Sequence, residues 1–153
     1  MGLFKRNKKK ATIIPAQKPA PARPKLPSKY DFDVKSWDQL LKNMMSVLEL
    51  NPNYKEPKST EKTVYKYKYF EKECELIPEP KNKYDKNAIK VCYGGVHIGY
   101  VPAAWTDDVK KLMKAGYKAT LSIRPGHYKK FEDDEWVTYK KDPYAFVVMT
   151  YDD

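Results

Sequence analysis

From Thr63 onward, apolar side chains recur at every second position in short runs, and Gly, Pro, Asn or Asp closes most of them. Successive side chains of a strand point to opposite faces, so this period marks half-buried strands and not helices. "TVYKYKYF" sets Tyr65, Tyr67 and Tyr69 on one face and Lys66 and Lys68 on the other. "ECELI" is a second strand, ended by Pro78 and Pro80. "NAIKVCY" and "VHIGYV" flank Gly94-Gly95, the dipeptide of a two-residue hairpin. "YKATLSIR" turns Tyr117, Ala119, Leu121 and Ile123 inward before Pro125-Gly126. "HYKKF", "WVTYK" and "YAFVVMTY" follow, with the charged turn "EDDE" among them. So many short strands leave exposed edges unless the sheet closes, and the pattern predicts a small β-barrel over residues 62–153.

Two helical signals interrupt this β pattern. Ser36 with Gln39 three residues later forms a capping-box pattern, and Trp37, Leu40, Leu41, Met44, Val47 and Leu48 then follow at helical spacing until Asn51-Pro52-Asn53. Residues 31–61 are therefore expected to hold an N-terminal helix and a linker, with the apolar stripe packed on the barrel. "WTDDVKKLMKAG" predicts a short second helix, capped by Thr106 or Asp107 and stopped by Gly116. The expected class is mainly β with two short helices.

The formal charge of +10 misleads unless it is located. Residues 1–30 hold nine of the 30 Lys and Arg and none of the 20 acids, so the remainder is within one charge of neutral. That first segment also carries Pro15, Pro19, Pro21, Pro24 and Pro27, and is expected to be a disordered Lys/Pro-rich tail. Such an arm serves either as a solubilising leader or as a sequence-blind tether to nucleic acid or acidic lipid. No apolar stretch is long enough for a signal peptide or a membrane span, so no membrane partner is expected. Cys74 and Cys92 lack metal or redox spacing and fit a cytoplasmic protein with reduced thiols.

Catalytic chemistry has no foothold in the motifs. His97 and His127 have no ligand at metal spacing, Gly94-Gly95 precedes no helix, and Glu132–Glu135 lacks the pattern of a calcium loop. No catalytic residue, metal or cofactor is expected, and the chain is expected not to be an enzyme. The aromatic load is more telling: 13 Tyr, 5 Phe and 3 Trp. Most belong to the core, but Tyr84 stands in the polar loop "EPKNKYDKN" directly before Asp85. A turn needs no phenol ring. An exposed ring beside an amide and a carboxylate can stack a base and hydrogen-bond a sugar hydroxyl.

"ELIPEPKNKYDKNAIKV" followed by "GGVHIGYVP" resembles the HIRAN domain, a module at the N-terminus of helicase-like transcription factor and free-standing in bacterial and phage proteins. The likeness covers Thr63 to Arg124 and rests on Glu79-Pro80, Asn82 through Val91, and Ile98 through Pro102. It implies an OB-like or SH3-like barrel that recognises single-stranded DNA at a free 3′ end. By position, Tyr84 would stack on a terminal base and Asp85 would accept a hydrogen bond from the 3′-hydroxyl. Asn82 and Asn87 would fix the loop, a role that turn formation alone explains equally well. Lys66-Tyr67 or Lys68-Tyr69 would supply the basic-aromatic pair of the first strand. Tyr100 stands where the DNA-binding vertebrate member has His, and a basic position falls on Ala103. The alternative on the same barrel is a protein-interaction adaptor with no DNA role. Oligomeric state does not follow from these residues.

Overall fold

Extended pairing begins earlier in the chain than the apolar pattern announces. The computed structural model describes residues 26–151 apart from Ser59 and Pro125. Its first strand, β1, is Lys29–Asp33, and Phe32 within it is buried. The boundary at residue 30 is thus corrected: Lys29 and Tyr30 belong to the barrel, and the Tyr117 hydroxyl donates to the Pro27 carbonyl. Residues 1–25 of the tail expected over residues 1–30 lie outside the described residues. Asp31 and Asp33 hide this strand in the sequence, because only Tyr30 and Phe32 carry its apolar alternation.

The described residues hold ten strands and two α-helices, in the order β1, α1 (Gln39–Ser46), β2 (Thr63–Tyr65), β3 (Phe70–Glu73), β4 (Glu75–Pro78), β5 (Ile89–Tyr93), β6 (Val96–Tyr100), α2 (Thr106–Lys114), β7 (Lys118–Arg124), β8 (Tyr128–Glu132), β9 (Glu135–Tyr139) and β10 (Tyr144–Thr150). The fold is mainly β, as expected. Antiparallel pairing runs β1-β10-β7-β3 and β4-β5-β6, and β2-β8-β9 forms a third sheet. At Cys74 the chain passes from the first sheet to the second, and Cys74 N–H donates to the Ala119 carbonyl at 3.0 Å. The opposite seam closes where Lys35 and Tyr100 exchange two backbone hydrogen bonds of 2.9 Å each. Six strand positions thereby form a ring around Ile89, Val91, Ile98, Leu121, Ile123, Val147 and Met149, all fully buried.

Several local expectations resolve differently. "TVYKYKYF" is not one strand: β2 ends at Tyr65, Tyr67 forms a lone bridge to Leu50, and β3 starts at Phe70 in another sheet. Lys66 N–H still donates to the His127 carbonyl, in line with the β2–β8 pairing, whereas Lys68 N–H donates to the Glu49 carbonyl, where the chain has left that sheet. Ser36 does not cap α1; its hydroxyl donates to the Ile98 carbonyl at 2.6 Å. The register of β5 and β6 shifts at Val91/Cys92, so Ile98 lies off the ladder and Ser36 takes up its carbonyl. Nor do Thr106 or Asp107 cap α2, since Thr106 is already helical and its hydroxyl donates to Ala103. The far end matches expectation. Gly116 at φ +90° closes α2, with Gly116 N–H to Met113 and Tyr117 N–H to Leu112, the Schellman arrangement. Gly94 and Gly95, at φ +54° and +82°, form the hairpin turn.

Gly99 lies at a close crossing of two backbones. A Cβ there would lie 2.5 Å from the Lys35 carbonyl oxygen and as close to the Val34 side chain. Gly99→Ala is expected to cost ~3 kcal/mol, the upper end for overpacking, because backbone would have to yield. Gly95→Ala meets no neighbour and should cost only the left-handed strain of about 1 kcal/mol. Chemical denaturation of both variants checks this; a smaller loss at Gly99 would mean the crossing strand moves aside.

Candidate nucleic-acid interface

Between β4 and β5 the chain must reverse over a polar loop, and its own side chains build it. The Asn82 side-chain oxygen accepts from Tyr84 N–H at 2.9 Å and Asp85 N–H at 3.0 Å. Asp85 Oδ1 accepts from Asn87 N–H at 2.8 Å, an Asx turn, and the Asp85 carbonyl accepts from Ala88 N–H. The Asn87 side-chain oxygen accepts from Lys110 Nζ at 3.0 Å, which ties the loop to α2. The Asn82 side chain thus builds the turn, whereas the Asn87 side chain holds the loop to α2.

Glu79 anchors the loop from beneath. Its Oε1 accepts from Asn82 Nδ2 at 3.0 Å and from the Tyr100 hydroxyl at 2.9 Å, and its Oε2 lies 3.6 Å from Lys90 Nζ. The Asn82 hydrogen bond, with Tyr100 and Lys90, holds its carboxyl below the usual carboxylate value against a partial burial that opposes this. Burial, reinforced by Glu79, pushes the Tyr100 phenol up, so Tyr100 stays a neutral donor. Beyond Tyr100, the Trp37 ring lies parallel to it, 5.8 Å between centroids at 14°. His97 meets the same ring edge-on at 4.8 Å. His97 Nε2 contacts the Gly99 carbonyl at 3.0 Å and must be the donor there, since a carbonyl only accepts.

These elements enclose an open groove of about 620 Å³. Trp37, Tyr100, Val101 and Ala88 form its apolar floor, and Lys35, Lys83, Tyr84 and Asp85 its rim. Tyr84 is 96 % exposed, the extreme among the large hydrophobic side chains. Asp85 Oδ2 has no hydrogen-bond partner among the described residues. Lys81, Lys83 and Lys86 are all exposed on the same loop.

Five of the expected site residues, Asn82, Tyr84, Asp85, Asn87 and Tyr100, thus converge. Lys66, Tyr67, Lys68 and Tyr69 do not join them. They precede β3, whereas the loop leaves the far end of β4, a step on the order of 25 Å at strand rise. Trp37 and Lys35 went unforeseen as site residues, because the first reads as one member of a helix's packing stripe and the second has no pattern at all. Glu79 was visible only as half of an acidic-Pro pair.

The family model of the HIRAN domain matches residues 54–144. The chain belongs to the HIRAN domain family. HIRAN domains are generally nucleic-acid-binding modules, which supports a nucleic-acid-binding role for this one. The match takes in the whole 79–87 loop and Tyr100, whereas β1, α1 and most of β10 fall outside it. No curated protein and no solved structure matches the chain. No helix among the described residues is long and apolar enough to cross a membrane.

Acid should loosen this HIRAN site in two stages. Burial lowers the His97 pKa below 6.5, so the unfolded chain binds that proton more readily and stability falls as pH drops through that range. Glu79, also lowered, contributes stability in full above 4.5 that is lost as pH falls further. Urea denaturation from pH 7 down to about pH 2 should show both stages, and Glu79→Gln should remove the lower one. An unaltered lower stage would detach Glu79 from loop stability.

Proposed function

We propose that the chain binds single-stranded DNA at a free 3′ end in the groove beside the 79–87 loop, without catalysing a reaction. The observation that carries this reading is Tyr84, almost fully exposed on a loop whose backbone is held by the Asn82 and Asp85 side chains. An exposed phenol ring forgoes burial that would stabilise the fold, and an accessible ring face is what a base needs to stack on. Trp37 and Tyr100 provide an apolar surface for a second planar group, and Lys35 and Lys83 at the rim suit phosphate. Asp85 has one oxygen engaged by its own turn and one open; the open one accepts the 3′-hydroxyl. A carboxylate beside phosphates otherwise repels them, which favours a free end over a phosphorylated one.

The basic segment before residue 26 adds affinity blind to sequence, through phosphate contacts. The thiols suit a cytoplasmic setting: burial pushes Cys74 up to about 12, which keeps it protonated and unreactive. A protein partner is the second reading, favoured by the apolar floor of Ala88 and Val101, which would equally take an apolar side chain.

Tyr84→Ala should weaken binding of a single-stranded oligonucleotide by ~1–3 kcal/mol, while Tyr84→Phe should lose little. Equal losses in a fluorescence titration would replace stacking by a hydrogen bond from the phenol. Asp85→Asn preserves the turn and one acceptor but removes the charge. It should lower the preference for a 3′-hydroxyl over a 3′-phosphate end at fixed salt. If that ratio stays as in the wild type, Asp85 is a turn residue only, and end recognition loses its support.

A further inference from the structure

At the start of β3, away from the loop, lies a second open cleft of about 630 Å³ that shares no lining residue with the first. Tyr65, Tyr69 and Tyr144 stand along it, 45 %, 52 % and 57 % exposed. The rings of Tyr65 and Tyr69 are held rather than loose. Tyr65 leans on Tyr128 with 5.7 Å between centroids, and Tyr128 stacks on Tyr139 at 5.0 Å and 13°. The Tyr69 hydroxyl donates to Glu71 Oε1 at 2.6 Å, and the Arg124 guanidinium lies 4.9 Å over its ring.

The charge of this cleft has one sign. Arg124, Lys141, Lys68 and Lys130 line it and no carboxylate does. Lys68 and Lys130 approach Glu49 at 3.4 Å and Glu132 at 3.9 Å, but Arg124 and Lys141 pair with no carboxylate among the described residues. Lys141 is brought there by the backbone. A Cβ on Gly126 would strike the Lys141 carbonyl, so the glycine permits this approach, and Lys141 N–H donates to His127 Nδ1 at 3.0 Å. His127, without a role in the loop groove, positions one wall of the cleft.

We infer that this cleft is a second binding site, for the interior of a single-stranded nucleic acid rather than its end. Bases stack on Tyr65, Tyr69 and Tyr144, and Arg124 and Lys141 contact phosphates, a combination that tolerates any sequence because every base has a flat face. No unpaired carboxylate stands in this cleft to single out a hydroxyl, unlike Asp85 in the loop groove. A strand whose 3′ end is blocked is therefore still a ligand here. The site does not depend on the loop reading.

The test uses the full chain carrying Tyr84→Ala, isotopically labelled, with a long oligothymidylate bearing a 3′-phosphate, and oligouridylate in parallel. Amide resonances of Tyr65, Lys141 and Tyr144 should move on addition, and the polymer that moves them at lower concentration identifies the natural strand. Adding Lys141→Glu and Tyr144→Ala should weaken binding of that polymer by roughly tenfold, within the range for one lost base–aromatic stack. Both side chains are exposed, so the remaining resonances should report an intact fold. Resonances of the cleft that stay in place while the oligonucleotide binds elsewhere overturn the inference. If cleft resonances move, yet Tyr84→Ala alone leaves binding of free 3′ ends intact, the cleft stands and the loop reading falls.

Discussion

Where the chain between β1 and α1 crosses β6, two backbones pass so closely that only a glycine fits between them. At Gly99 the Lys35 carbonyl and the Val34 side chain occupy the space a Cβ would need. That approach lets Lys35 and Tyr100 pair and closes the ring of strands. It also draws the Ser36 hydroxyl onto the Ile98 carbonyl and, with the Asn43 side chain donating to His97 O, clamps α1 over β6. Trp37 consequently arrives on the face of Tyr100. Barrel closure and groove floor thus follow from a single contact.

The groove shows how a polar loop can be rigid without a core. Glu79 is hydrogen-bonded to Asn82 and Tyr100 and paired with Lys90, so one carboxylate connects the loop, β6 and β5. Each of these bonds is modest alone, but partners that share one acceptor hold one another in place. The loop is thereby held while Tyr84 projects into solvent. Preorganisation of this kind reduces the entropy a ligand must remove on binding. The family match places the chain among nucleic-acid-binding modules, and the loop is its most elaborately built exposed feature.

The two clefts differ in what charge does. Around the loop, lysines alternate with Asp85 and Glu79, so attraction and repulsion both act within a few residues. Around Tyr69 and Tyr144 the two unpaired groups are cations. On the proposed reading, the first arrangement would discriminate between chemically different ends, whereas the second would retain a strand. Aromatic residues are common to both, which accounts for much of the exposed tyrosine the composition leaves over.

Much of the barrel was legible because burial on one face imposes a period on the sequence. The Gly94-Gly95 hairpin, the inward side of β7, the Gly116 stop and the Asn82–Asn87 turn all follow from local backbone and side-chain preferences, and the structure contains each of them. Local pattern failed wherever a distant partner supplied the deciding bond. Ser36 has a cap's spacing but bonds to Ile98, 62 residues away. Tyr65 to Tyr69 alternate like one strand, yet β2 stops at Tyr65, and the distant Leu50 and Glu49 take Tyr67 and the Lys68 N–H as partners before β3 begins. β1 went unrecognised because its pairing with β10 matters more than its weak alternation. Fold class, turns and the exposed Tyr-Asp loop are readable from residue order alone, since these depend on neighbours in the chain. Only tertiary structure decided that Trp37 joins that loop and Lys66 to Tyr69 do not, because both depend on which strands pass side by side.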